Sequence, residues 1–129
     1  MGDKLGLFDA IIGNANVVHA NKVAGKLDGI LLPDEEIELA YKLVRDFFVF
    51  TEKRMLIIDI QGITGRKVEY LSIPYKSITR YALETAGTFD FDAEIKIWVS
   101  GDSTPIQRTL KNGTDVKAIQ LALSAGVLG

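Results

Sequence analysis

Few residues of this chain have the types and spacing that chemistry requires. His19 is the only histidine and cysteine is absent, so the chain offers neither a cysteine nucleophile nor a thiolate metal site. A Ser-His-Asp enzyme would have to use His19, which has no Asp, Glu or Ser near it at triad or metal-ligand spacing. A solvated or interface histidine is therefore favoured over a catalytic one, and we expect no enzymatic activity.

A G-x-x-G pattern occurs at Gly62 and Gly65. A phosphate-binding loop also needs a following Lys-Ser/Thr pair, or a third glycine that opens a helix, whereas a strand pattern follows here. Glycines frequently serve tight reversals of the chain. The pattern therefore favours a hairpin turn over a phosphate site.

Three carboxylates alternate at Asp90, Asp92 and Glu94, which places them on one strand face at steps of about 7 Å. They could hold a hard cation such as Ca²⁺, but such sites draw about six to eight oxygens, usually from a loop. A solvated strand face is the simpler interpretation. The acidic run 34–36 is likewise interpreted as a solvated loop, because paired carboxylates for acid–base catalysis also require a pocket.

Basic residues form no obvious patch. Lys53 and Arg54 directly follow Glu52, a pattern typical of a solvated loop rather than of an anion site. The net charge of −2 and the pI near 5.4 give no overall attraction to nucleic acid or to an anionic membrane. No apolar run approaches the ~20 residues of a membrane span. Without a signal-peptide pattern or cysteines, we expect a cytoplasmic protein.

The elements that must position these residues are mostly strands, centred on residues 45–81. Phe47–Phe50 and Met55–Ile60 are apolar runs separated by four polar residues, which predicts an antiparallel hairpin. The second run is apolar on both of its faces, as in a central strand that is covered on both sides. Five more strands are predicted by alternation and turn signals. They are residues 37–44, 67–73 (ended by Pro74), 75–85, 91–99 and 104–111.

Helical spacing flanks the strands on both sides. Residues 3–27 carry an apolar stripe, which predicts a helical arm in residues 1–30, joined through a linker in 25–36 to a domain of residues 31–129. After the last strand, Thr114 or Asp115 can cap a helix that Gly126 would stop. We expect five residues to meet inside the sandwich. They are Leu56, Ile58, Ile95, Ile97 and Leu123.

Several ordered blocks of the chain resemble the single-domain bacterial pleckstrin-homology (PH)-like family. The blocks are Arg45-Asp46, residues 50–54, 59–65 and 73–78, and Glu84-Thr85-Ala86-Gly87. The resemblance runs from about Leu31 to the C-terminus and is weaker before it. It implies a mostly β (α+β) fold: a PH-like seven-stranded antiparallel β-sandwich or open barrel, capped by a C-terminal α-helix and preceded by the arm. It also implies no known catalysis and assembly into closed rings of identical subunits. We expect no cofactor.

One departure from PH domains that bind phosphoinositides bears on function. Such domains place several Lys and Arg around the first hairpin loop, where they neutralise lipid phosphates. Here that loop offers only Arg45 beside Asp46, with Lys42 upstream. The departure argues against phosphoinositide binding.

Three functional classes remain, led by a non-catalytic module that forms an oligomeric scaffold and binds another protein. The second is an anion or lipid-headgroup binder, and the third is a small hydrolase or isomerase. Exposed strand edges favour a ring of identical subunits, and the resemblance favours a pentamer; the alternative is a monomer whose arm covers its own sheet. Seven residues are candidates for the partner or subunit surface. They are Arg45, Asp46, Lys53, Arg54, Arg80, Glu84 and Thr85.

Overall fold

The computed structural model describes residues 23, 25–43, 46–61, 67–85, 92–111 and 114–129. In chain order, these ranges form β1 (Ile37–Lys42), β2 (Asp46–Thr51), β3 (Arg54–Gln61), β4 (Lys67–Pro74), a 3₁₀ turn (Tyr75–Ser77), β5 (Ile78–Glu84), β6 (Ala93–Val99), β7 (Ile106–Leu110) and α1 (Val116–Leu128). Several predictions concern residues outside the described ranges. These are the arm before residue 23 with His19, Arg45, the turn at Gly62–Gly65, and Asp90.

The strands form two antiparallel sheets, one in the order β1-β2-β3-β4 and the other in the order β5-β6-β7. In the predicted central hairpin, Phe47 lies opposite Ile58 and Phe50 lies opposite Met55. The mostly β sandwich of seven strands with a C-terminal helix is therefore confirmed. Each sheet follows the order of the chain, so every neighbouring pair is joined directly along the sequence.

Residues 75–77 were predicted to be strand, and that prediction is wrong. The chain leaves β4 at Pro74, whose φ of −60° and ψ of 136° lead into the 3₁₀ turn. The Tyr75 side chain turns inward, and its hydroxyl donates a hydrogen bond of 2.6 Å to the Thr51 carbonyl. This short turn carries the chain from the first sheet to the second, which explains why the extended pattern is interrupted there.

The central hairpin is buried on both of its faces. Arg108 of β7 bonds to Asp46, so the residues that share the side of Asp46 on the β2–β3 hairpin face the second sheet. We call this side the inner face; it consists of Phe48, Phe50, Met55 and Ile57. The other side, which we call the outer face, is equally buried and consists of Phe47, Val49, Leu56 and Ile58.

This arrangement corrects part of the core prediction. All five predicted core residues are buried in one apolar cluster, but Leu56 and Ile58 lie on the outer face, while Met55 and Ile57 point into the sandwich. In a strand that is apolar on both sides, alternation separates the two faces but does not say which one meets the second sheet.

The segment before β1 lies over the outer face. Val23 and Leu27 are 0% and 1% exposed and belong to the same core as the sheets. Arg54, which shares the outer side of β3 with Leu56, donates a hydrogen bond of 3.0 Å to the Ile30 carbonyl. The stretch 25–36, predicted to be a linker, is therefore bonded to the sheet. The predicted domain boundary at residue 30 stays a prediction.

Helix α1 begins as predicted and ends later than predicted. The Asp115 carboxylate accepts a hydrogen bond of 3.2 Å from the Ala118 backbone N–H, as expected of an N-cap. Gly126 does not stop the helix, which continues to Leu128. A side-chain carbon at Gly126 would overlap the Tyr75 ring, so this glycine permits the helix to approach the 3₁₀ turn closely.

Strand β6 follows the predicted alternation. Ala93, Ile95 and Ile97 are buried, and Trp98 lies on the opposite side of the strand, against Arg80. The second sheet thus has one apolar side toward the core and one polar side that carries the tryptophan.

Candidate functional site

The six described residues of the predicted surface lie in three separate places. Asp46 begins β2, whereas Lys53 and Arg54 lie at the turn that follows this strand, and Arg80, Glu84 and Thr85 lie on or directly after β5. Strand β2 alone separates Asp46 from the turn by about 20 Å, because a strand rises about 3.3 Å per residue. The predicted residues therefore do not form one continuous site.

At the β2–β3 turn, Arg54 is held by a buried carboxylate. Its Nε and Nη2 donate hydrogen bonds of 2.9 and 2.6 Å to the two oxygens of Glu35. The Thr51 hydroxyl donates a further bond of 2.6 Å to the same carboxylate, and the Leu32 N–H donates one of 3.0 Å. Mainly because of the Arg54 hydrogen bonds, the pKa of Glu35 is lowered from 4.5 to about 2.

Two interpretations from the sequence are corrected by this geometry. Glu35 is 7% exposed and does not belong to a solvated acidic loop. Arg54 is not a solvated loop residue either, since it also donates to the Ser72 hydroxyl at 3.0 Å. Lys53 is the more exposed neighbour, and its ammonium lies 3.7 Å from Asp34. The turn is thus a structural clamp between the sheet and the segment before β1.

A signal for this clamp was present in the sequence. Arg54 stands two residues before Leu56 and four before Ile58, so it points to the same side as two fully buried residues. A guanidinium beside a buried face needs a carboxylate or several carbonyl partners. Nothing in the local pattern identified Glu35, which lies 19 residues earlier.

At the other end of the hairpin, Asp46 and Asp59 lie directly opposite each other on β2 and β3. Arg108 Nε donates a hydrogen bond of 2.7 Å to Asp46, and its Nη2 lies 3.9 Å from Asp59. Burial raises the pKa of Asp46, and the neighbouring Asp59 adds to the rise, while Arg108 opposes it. One guanidinium thus holds two adjacent carboxylates and ties the second sheet to the first.

Of the three alternating carboxylates, Asp92 and Glu94 lie in the described ranges and Asp90 lies outside them. Glu94 of β6 accepts a hydrogen bond of 2.8 Å from Gln107, and Asp92 is exposed directly before this strand. Across the described ranges, no group of three or more His, Asp or Glu residues is placed to hold a metal ion. In the same ranges, no helix is both long and apolar enough to cross a membrane.

Strand β5 is an edge strand with an unusual arginine. In the described part of the chain, it pairs only with β6. Glu84 is bonded to Lys96 at 3.2 Å, and Thr85 is exposed. Arg80 stacks on Trp98, with its guanidinium carbon 4.3 Å from the ring centroid. Of the predicted surface residues that can be placed, those on β5 are the ones that share a single accessible edge.

Arg80 differs from the other arginines that the structure describes. Arg54 and Arg108 are each bonded to a carboxylate within 3 Å, whereas none of the described carboxylates pairs with Arg80. Stacking on a tryptophan fixes the guanidinium plane and leaves its N–H edge available. The residue can therefore receive a carboxylate from another molecule.

The two sheets of four and three antiparallel strands, closed by a C-terminal helix, define a PH-like sandwich. Residues 6–127 match the family model described as Bacterial PH domain, and the chain belongs to that family. The match begins well before Leu31, so the segment that precedes the strands is part of the family pattern. This extends the region in which the sequence alone indicated a clear resemblance.

Related proteins cover nearly the whole chain. The uncharacterized protein YjqA of Bacillus subtilis (strain 168) is 48% identical over 122 residues, which are 94% of this chain and 98% of YjqA. Among solved structures, the pleckstrin homology domain from Shewanella amazonensis SB2B is 55% identical, with a TM-score of 0.80 over 94% of this chain and 98% of that one. A DUF1696 family protein with a pleckstrin-homology domain from Shewanella loihica PV-4 is 50% identical, with a TM-score of 0.74 over 83% and 92%.

Proposed function

We propose that this chain is a non-catalytic PH-like module that assembles into a closed ring of identical subunits and binds another protein. The observation that carries the proposal is the β5 edge, which combines a backbone paired on one side only with an arginine that has no carboxylate partner in the described ranges. Unpaired strand edges are templates for contact with other chains. A ring would present several copies of the same edge, which strengthens binding to a multivalent partner.

The assembly is tested by the mass of the purified protein. Light scattering on a sizing column is expected to give about five times the 14.2 kDa of one chain, since the family resemblance favours a pentamer. A monomer mass at micromolar concentration would refute the ring. A stable dimer would also refute it, because it would indicate an isologous contact that closes after two subunits.

An anion-binding role has less support from the geometry. Arg54 is committed to Glu35, and Lys53 lies near Asp34, so the β2–β3 turn carries little uncompensated positive charge. We expect no binding to phosphoinositide vesicles in co-sedimentation. Salt-sensitive binding that disappears on charge reversal at Arg45 or Lys53 would contradict this expectation.

The absence of catalysis and a cytoplasmic location belong to the same proposal. The first rests on the lone histidine and the lack of cysteine, and reproducible turnover that is lost in His19→Ala would refute it. The second rests on the cysteine-free composition and is tested by cell fractionation with detection of the native protein.

A further inference from the structure

The edge strand β5 contacts helix α1 through one pair of side chains. The Tyr81 hydroxyl and the Ser124 hydroxyl are hydrogen bonded at 2.7 Å, which places this part of the strand next to the helix. Leu121 and Leu128 lie three residues before and four residues after Ser124, so they border it on the helix surface. They are 64% and 75% exposed, so the solvent-facing side of α1 carries two large apolar side chains.

The two sides of β5 offer different chemistry. Tyr81 and Leu83 point to the side of α1, and both are half-buried. Arg80 points to the opposite side, over Trp98. We call the side formed by Tyr81, Leu83, Leu121, Ser124 and Leu128 the β5–α1 surface. Side chains alternate along a strand. In a strand added along β5, every second side chain would therefore face apolar groups, and the side chains between them would face the cation.

We propose that the β5–α1 surface binds an extended peptide segment of a partner protein as an added β-strand. In this peptide, every second residue is apolar and covers Leu121 and Leu128. One of the residues between them is acidic and pairs with Arg80. This inference rests on the proposed protein-binding function and names its site and the class of its ligand.

The β5 backbone on the side away from β6 determines the kind of occupant. Within the described ranges, no strand pairs with the N–H and C=O groups on this edge. They lie in a row, and only an extended chain presents partners at the matching spacing. A helix satisfies its own backbone groups internally and would leave those of β5 unpaired. The acidic residue follows from charge complementarity, because Arg80 is the described arginine that lacks a carboxylate.

The first test is fluorescence anisotropy with a labelled seven-residue peptide that alternates leucine and glutamate. Binding is expected to weaken by about tenfold or more in Leu121→Ser and in Arg80→Glu, as for the loss of an anchoring contact. The matched controls are Leu32→Ser, another exposed leucine, and Lys111→Glu, an exposed charge after β7; both are expected to bind like the native protein. No binding by the native protein, or equal losses in variants and controls, would overturn the proposal.

A second test probes the backbone contact itself. Two versions of the peptide carry N-methyl groups, one on alternate amides and the other on the amides between them. An added strand turns one set of amides toward β5 and the other toward solvent, so one version is expected to lose binding and the other to retain it. Equal affinities for the two versions would overturn strand addition.

The mass of each sample separates this inference from the proposed ring. A ring that does not bind the peptide overturns the β5–α1 inference alone, whereas a monomer that binds the peptide overturns the ring and supports the surface. If Leu121→Ser lowers the mass of the assembly, the surface is the contact between subunits, and docking of a partner peptide there is overturned.

Discussion

The buried ion pair between Glu35 and Arg54 allows a sharp test of the clamp at the β2–β3 turn. Glu35→Gln keeps the shape of the side chain and removes its charge. The pKa of Glu35 falls from 4.5 to about 2 in the folded protein, and each pKa unit corresponds to about 1.4 kcal/mol. The ionised carboxylate therefore contributes about 3 kcal/mol at neutral pH, and the free energy of unfolding should fall by this amount in the variant.

The dependence on pH has a definite sign. A carboxyl with a lowered pKa stabilises the fold above its unfolded-state value, near pH 4.5, and this contribution disappears as the pH falls through about 2. The difference in the free energy of unfolding between the native protein and Glu35→Gln should shrink from about 3 kcal/mol at pH 7 to about 1 kcal/mol near pH 3. The raised pKa of Asp46 acts in the opposite direction, but it is common to both proteins and cancels in the difference.

Urea unfolding followed by tryptophan fluorescence at several pH values measures this difference. The control is Asp34→Asn, whose carboxylate is 78% exposed and 3.7 Å from Lys53; it should change the free energy of unfolding by less than about 0.5 kcal/mol. A difference for Glu35→Gln that stays constant between pH 7 and pH 3 would refute the role of the ionised pair. The role of the ionised pair would also be refuted if Glu35→Gln and Asp34→Asn unfolded at the same urea concentration at pH 7.

Three further substitutions test the packing of the sandwich. Leu123→Ala removes a fully buried side chain of α1 and should cost about 2–5 kcal/mol in urea unfolding; a native midpoint would show that the helix does not close the core. Gly126→Ala forces a methyl against an aromatic ring and should cost about 1–3 kcal/mol, whereas Gly25→Ala, which meets open space, should cost nothing measurable. Arg108→Gln should destabilise more at pH 7 than at low pH, because Asp46 is ionised only at the higher pH and then lacks its cation; a pH-independent loss would contradict this.

The sequence predicted the elements well where a single periodicity governed a segment. Along β6, alternation identified Ala93, Ile95 and Ile97 as core residues, because one side of this strand is apolar and the other polar. The prediction failed at Gly126, where the absence of a side chain serves the contact with Tyr75 rather than the end of a helix. Such a contact joins residues far apart in the chain, and no local pattern encodes it.

The candidate site was less predictable than the fold. The residues on β5 were named from the chain, but the clamp of Glu35 with Arg54 was mistaken for two solvated loops. Charge in a short polar run is typical of a surface loop, and only the paired sheets bring these two residues together. The β5–α1 surface was missed for the same reason, since the exposure of Leu121 depends on how α1 packs.

Burial of the β2–β3 hairpin on both faces raises the question of what fixes its alignment. In a strand with one polar side, a slip by one residue would bury charges, and that cost keeps the pairing in register. Phe47–Phe50 and Met55–Ile58 are apolar on both sides, so a slip would exchange one apolar side chain for another. The charged clusters at the two ends of the hairpin favour the observed pairing over a shifted one. Arg54 is paired with Glu35 at one end, and Asp46 is paired with Arg108 at the other. A pairing shifted by one residue would break both ion pairs, so they keep the strands in register.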